Sequence, residues 1–247
     1  MNFLSRTELL IGRDSLEKLK YSQVAIFGIG GVGSYAAEAL GRCGIGKLVL
    51  IDYDIINETN INRQIHSTTN TIGKVKVEVM KERLLEINPR INVDIYNEMY
   101  SENNSNYLIN KEYDYVIDAI DMVSSKIDLI IKCIEAGIPI VSSMGAGNKL
   151  DPTKFEVADI YDTAMCPLAK VMRHELRKRG VQKLKVVFSK EKPLKQTSKF
   201  YENTKDDLLS ISNTIKSPGS ISFVPSVAGL ILASVVVREI IGMHIDS

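Results

Sequence analysis

Gly28, Gly30, Gly31 and Gly33 fall within six residues, and Asp52, Asp54, Asn60, Arg63, Gln64 and Lys76 follow within the next fifty. Each type suits one task at a phosphorylated ligand. Gly28 permits a tight turn, Gly30 lets the backbone approach a phosphate, and Gly33 allows a helix to pack closely on a strand. Asp52 can accept hydrogen bonds from ribose hydroxyls. Arg63 and Lys76 can neutralise phosphate charge, and an arginine does so with two parallel donors. One carboxylate more is needed for magnesium, which takes one or two carboxylates plus phosphate oxygens; Asp121 is the best candidate. The alternative for Asp121 is an ordinary helix cap, and for Asn60–Gln64 a polar loop.

These residues need elements to hold them. Val24–Phe27 is a short apolar run leading straight into the glycines. A helical pattern follows, with Ala36, Ala37, Ala39 and Leu40 on one face, and a second apolar run, Leu48–Ile51, stops at Asp52. Strand, glycine turn, helix, strand and carboxylate are the parts of a nucleotide-binding βαβ unit, with the anion at the helix amino end. The pattern predicts further helices over Ile72–Ile87, Ser101–Ile109 and Ile127–Ala136. It predicts strands over Ile91–Ile95, Tyr113–Ile120 and Ile138–Val141. Ahead of them, residues 5–20 form a helical lead-in broken at Gly12, with Leu9, Leu10, Leu16 and Leu19 at helical spacings. The expected class is α/β: a doubly wound, mainly parallel Rossmann-like sheet with helices on both faces and a small C-terminal basic lobe.

Composition sets the bounds. The 247 residues suit one large α/β domain with an extension: residues 1–150 as nucleotide-binding core and 151–247 as an appended segment on the same core. Cys43, Cys133 and Cys166 are too scattered for a disulfide framework, and no C-x-x-C pair exists for zinc. With no N-terminal secretion signal, a reducing cytoplasm is expected.

Beyond Gly147 the rhythm changes. Phe155–Ile160 alternates as an antiparallel or edge strand. Pro167–Arg179 is an amphipathic helix with Leu168, Val171 and Leu176 inward and Arg173, His174, Arg177 and Lys178 outward. Leu184–Phe188 is a strand, and residues 189–220 are expected to be a mobile loop. Between Lys170 and Lys199 stand eleven basic residues against Glu175 and Glu191, leaving the rest of the chain with 20 basic and 28 acidic residues. That asymmetry points to a polyanionic partner. Phe223–Met243 is apolar enough to suggest a membrane span, but Arg238 and Glu239 interrupt it, so a buried helix is expected.

Read together, Gly28-x-Gly-Gly-x-Gly33, Asp52-x-Asp54, Asn60-x-Asn62-Arg63-Gln64, Gly73-x-x-Lys76 and Asp118-x-x-Asp121 resemble the ThiF/MoeB/HesA adenylating superfamily, which includes the ubiquitin-activating enzymes. The resemblance implies ATP with Mg2+ and adenylation of a carboxylate. Asp52 would hold the ribose, Arg63 and Lys76 the triphosphate, and Asp121 the magnesium. Arg6 would reach the phosphates across a homodimer interface. Gly145-Ala146-Gly147, Asp151-Pro152-Thr153, Pro167-Leu168-Ala169-Lys170 and Phe223–Gly229 are similar to the tRNA threonylcarbamoyladenosine dehydratases. That branch implies a tRNA substrate, with Arg173, Arg177 and Lys178 on its backbone and sulfur-transfer proteins as further partners. Members need no enzyme nucleophile, and Cys166 is expected to be structural. Two other readings stand beside this one: activation of a sulfur-carrier or ubiquitin-like protein, and an NAD-binding oxidoreductase.

Overall fold

The computed structural model describes residues 3–195 and 218–243. Its centre is β1 (Gln23–Phe27). Val24, Ala25, Ile26 and Phe27 have no solvent contact, so both faces of this strand are covered, as in the middle of a parallel sheet. β2 (Lys47–Ile51) pairs in parallel on one side and carries β3 (Asn92–Tyr96) beyond it. β4 (Tyr115–Asp118) pairs in parallel on the other side, then β5 (Ile140–Ser143). β6 (Phe155–Asp159) and β7 (Lys185–Ser189) extend the same sheet past residue 150. β7 runs parallel to β5, and β6 lies antiparallel on the outer edge, giving the order β3-β2-β1-β4-β5-β7-β6. The expected edge strand is therefore present.

Eight helices cover the sheet among the described residues. One face carries α2 (Arg13–Tyr21), which follows α1 (Ser5–Ile11), together with α3 (Gly33–Cys43), α4 (Lys76–Ile87) and the last helix. The other face carries α5 (Ser105–Leu108), α6 (Val123–Ala136) and α7 (Pro167–Lys178). Alternation along β1 separates the two cores: Val24 and Ile26 face the first group, Ala25 and Phe27 the second.

The last helix, α8 (Phe223–Ile241), is long enough to cross a bilayer but packs on the first face, where Val224, Ala228, Leu232 and Val236 are buried. Gly229 explains how closely it comes. A Cβ there would stand 2.3 Å from the Val32 carbonyl oxygen, so only glycine lets α8 lie against the start of α3.

Several boundaries differ from the sequence reading. The helix expected from Ile72 starts at Lys76, because Gly73 turns with φ +82° and Val75 is extended, bridged to Ile55. On α7 the inward stripe is Ala169, Met172 and Leu176; Val171 is 46% exposed, since the helix turns it off that stripe. In the lead-in only Leu19 is buried, while Leu9 and Leu10 stand out from α1 at 89% and 82% exposure. Of the loop expected over residues 189–220, positions 196–217 lie outside the described residues, as does Lys199.

Candidate active site

From β1 the chain winds outward to β2 and β3, then crosses back to place β4 on the opposite side of β1. The loops leaving the carboxyl ends of β1 and β4 therefore diverge, and ligands bind in the crevice this opens. A cavity of about 920 Å³ lies there, lined by Gly28, Gly30, Gly31, Asp52, Asp54, Asn60, Arg63, Gln64, Lys76 and Asp121 among others. Residues scattered over almost a hundred positions are thus brought together.

The glycine loop is built against β4. Gly28 turns with φ +90°, and a Cβ on it would meet the Ala119 carbonyl oxygen at 2.6 Å. A Cβ on Gly33 would fall 1.8 Å from the Gly28 carbonyl oxygen, so α3 can start directly over the turn only with glycine at its first position. At Gly30 the nearest atom to such a Cβ would be Gln64 Nε2 at 4.0 Å, so the room beside it belongs to the cavity. Asp52 fixes the loop from the next strand: Oδ2 accepts from the Ile29 N–H at 2.6 Å and Oδ1 from the Asp54 N–H at 2.9 Å. Burial pushes the Asp52 carboxyl above its ordinary range, opposed by the Lys76 ammonium and these two N–H groups.

Lys76 is 96% buried and its ammonium lies 2.6 Å from Asp54 Oδ2. Arg63 is half-buried and donates to the Thr59 carbonyl at 2.8 Å and to Asn62 Oδ1 at 2.9 Å. Asn60 is buried, and its Oδ1 accepts from the Asn57 N–H, which folds the loop so that Arg63 and Gln64 follow on one turn. Gln64 is buried and contacts Ser67 at 3.5 Å.

Asp121 is exposed at the cavity rim. It does not cap α6, whose cap position is Met122, so its carboxylate is not consumed by helix capping. Asp118, which opens the Asp118-x-x-Asp121 motif, is fully buried, 2.7 Å from Lys126 Nζ. Arg6 is exposed on α1 and is not part of the cavity wall.

Lys149 and Cys166 also stand in the wall, though the sequence reading gave neither a role in the site. Lys149, 3% exposed, donates from Nζ to the Glu191 carbonyl at 2.8 Å; its only sequence signal is its place just after the Gly145-Ala146-Gly147 turn. Cys166, read as structural, is 3% exposed and also lines the cavity, at the cap of α7.

Residues 4–246 match the ThiF family model. The chain belongs to the ThiF family. Within that family it is 45% identical to the tRNA threonylcarbamoyladenosine dehydratase of Bacillus subtilis (strain 168) over 238 residues, covering 96% of this chain and 94% of that one. The fold matches the crystal structure of the Escherichia coli tRNA N6-threonylcarbamoyladenosine dehydratase in complex with AMP, with a TM-score of 0.86, 35% identity and coverage of 96% and 93%. The same enzyme in complex with ATP gives 0.83 at 34% identity, covering 97% and 93%.

From the cavity, α7 leads outward. Pro167 and Leu168 are in the wall, and the helix ends in Arg177 and Lys178, about 15 Å away at 1.5 Å per residue. Arg177 and Lys178 are exposed as expected. Arg173 is half-buried instead and donates to the Thr163 carbonyl at 2.9 Å. Arg177 stacks 5.0 Å over the Tyr161 ring, and Glu175 pairs with Lys178 and Arg179.

Proposed function

We propose that this protein is an ATP-dependent enzyme that adenylates the threonyl carboxylate of N6-threonylcarbamoyladenosine at position 37 of tRNA and closes it to a dehydrated ring. What carries the reading is near-full-length similarity to enzymes of that name, joined to a cavity lined by the glycine loop. At about 920 Å³ the cavity is near the top of the ~300–1,000 Å³ range of ligand sites. That leaves room for a second group beside the nucleotide.

In this reading Asp52 accepts from ribose hydroxyls, and the N–H groups at the start of α3 face the phosphates. Arg63 turns from Thr59 and Asn62 to the triphosphate. Lys76 shares its donors between Asp54 and a phosphate oxygen, and Asn60 and Gln64 hold the loop in shape. Asp121 would hold magnesium, an exposed rim carboxylate being what that ion takes beside phosphate oxygens. When bound, the ion supplies charge neutralisation at the phosphates. The substrate carboxylate attacks the α-phosphorus and pyrophosphate leaves. The substrate's own carbamoyl group then attacks the acyl carbon and AMP departs, so one water is lost overall and no enzyme nucleophile is required. Proximity and charge placement are the protein's contribution.

A homodimer fits the exposed Leu9 and Leu10 of α1. A groove of about 400 Å³ lies beside them, lined by Leu10, Ile11, Ala39, Leu230 and Val237 among others. Arg6 stands on the same helix and would enter the partner's cavity. Sulfur-transfer proteins remain partners implied only by family likeness.

Incubation with ATP labelled at the α-phosphate tests the proposal. Labelled AMP should form with tRNA bearing the modified adenosine and not with a carrier protein ending in a free carboxylate. AMP formed only with the carrier would overturn the tRNA reading.

A further inference from the structure

The cavity has a second charged wall that the nucleotide-facing residues do not use. The segment Gly145–Lys149 leaves the carboxyl end of β5, two strands from β1, so it stands about 10 Å across the sheet from the glycine loop. Lys149 lines the cavity there and is 97% buried. An ammonium has three donors. Among the described residues Lys149 places one on a protein acceptor, the Glu191 carbonyl, and no carboxylate oxygen lies within 4.0 Å of it.

The nearest acid is turned away. Glu191 spends its carboxylate on backbone donors, accepting from Leu150 N–H at 2.9 Å and from Asp151 N–H at 2.9 Å. It thereby holds the loop that presents Lys149 and offsets the ammonium's charge only in part, without a direct ion pair. A buried cation with no carboxylate at ion-pair distance among the described residues is costly; burial lowers the Lys149 ammonium below its ordinary pKa, opposed in part by Cys166 and Glu191.

The amino end of α7 closes on the same corner. A Cβ on Gly145 would touch Cys166 Sγ at 3.6 Å and Leu168 Cβ at 3.7 Å. No side chain caps this helix. Its second and third N–H groups, on Leu168 and Ala169, have no acceptor four residues back within the helix. The positive end of a helix and an ammonium without an ion-pair partner among the described residues thus meet at one end of a cavity whose other end is built by the glycine loop.

We propose that Lys149 binds the substrate carboxylate that is to be adenylated, holding it beside the α-phosphate. The inference rests on the proposed function and adds the residue that recognises the acid. Lys149 discriminates in favour of a carboxylate over its amide or ester, because only the anion both accepts from the ammonium and neutralises its charge.

The test compares wild type with Lys149→Met using ATP and tRNA carrying threonylcarbamoyladenosine. Losing one charged hydrogen-bonding partner should lower kcat/KM for tRNA by about 10- to 150-fold, with ATP affinity by calorimetry unchanged within about twofold. A parallel loss of ATP affinity would make Lys149 a nucleotide ligand and overturn the inference, as would undiminished kcat/KM. Should Lys149→Met not fold, Lys149→Arg and Lys149→Gln decide: arginine at least tenfold more active supports a charge role, and equal activities overturn it. Wild type inactive on this tRNA would sink the functional reading itself. Wild type active beside an unaffected Lys149→Met sinks this inference alone.

Discussion

Lys126 Nζ lies 2.7 Å from Asp118 Oδ2, with both side chains sealed from solvent. Ser142 Oγ donates to the same carboxylate oxygen at 2.6 Å, and Asp118 Oδ1 accepts from the Ile120 N–H at 3.2 Å. The pair therefore ties α6 to the ends of β4 and β5 and fixes the first turn of the segment that carries Asp121. Lys126→Met leaves a buried carboxylate unpaired and should cost about 3–5 kcal/mol of stability. Urea denaturation would measure it. A loss below about 1 kcal/mol would show that the ion pair does not hold this edge.

Arg63→Ala and Lys76→Ala should each reduce turnover below detection, with thermal melting shifted by only a few degrees. Asp54 is nearly half exposed, so water can solvate it once Lys76 is gone, and the buried Lys76 stem lines the cavity, where its loss opens the site and not the core. Arg63 donates within its own loop and leaves no core cavity when shortened. Calorimetry is the companion measurement: NAD binding tighter than ATP would end the nucleotide assignment.

Much of this was legible because the signals are local. Apolar runs of four residues placed β1 and β2, and Gly28 makes the tight turn and Gly33 the close packing that their spacing suggested. The Gly33 Cβ position falls 1.8 Å from a carbonyl oxygen, a clash no other residue type could avoid. What was missed depends on partners far away in the chain. Lys126 looks like a charge on an apolar helix until Asp118 and Ser142 meet it across two strands. Lys149 has no periodic signal, because its burial comes from the segment around Glu191, forty residues later. Arg173 fits the outward face of α7 by spacing, yet Thr163, outside the helix, captures it.

His66 should make stability fall in acid. It is buried, and neither ring nitrogen has a hydrogen-bond partner among the described residues. Burial, with Lys76 and Arg83 adding repulsion, lowers its pKa from 6.5 to about 3. The unfolded chain therefore binds a proton that the folded one refuses between those values. The contribution is fully present above pH 6.5 and is lost as pH falls through the window to about 3, at up to about 1.4 kcal/mol per pH unit. His66→Met should flatten the stability profile over that range. A variant whose slope equals that of wild type would assign the acid sensitivity to other groups.

The basic end of α7 offers fewer free cations than its sequence spacing suggests. Of the three side chains first expected on tRNA, Arg173 is engaged with Thr163, while Arg177 and Lys178 are exposed. Lys178 shares Glu175 with Arg179 at 3.4 Å, a pairing weak enough at the surface to yield to a phosphate. Lys170, one turn from the cavity wall, is exposed on the same helix. An RNA whose modified base enters the cavity would lay its backbone along this helix, over about 18 Å at 1.5 Å per residue. Changing Lys170, Arg177 and Lys178 to Gln should then weaken tRNA binding strongly at moderate salt and leave ATP affinity unaltered. Every phosphate left without its cation should reduce the slope of log affinity against log salt by about 0.7 to 0.9, so a triple variant should lose about two units. An unchanged slope would mean that these charges are a solvated face and that tRNA approaches the cavity from another side.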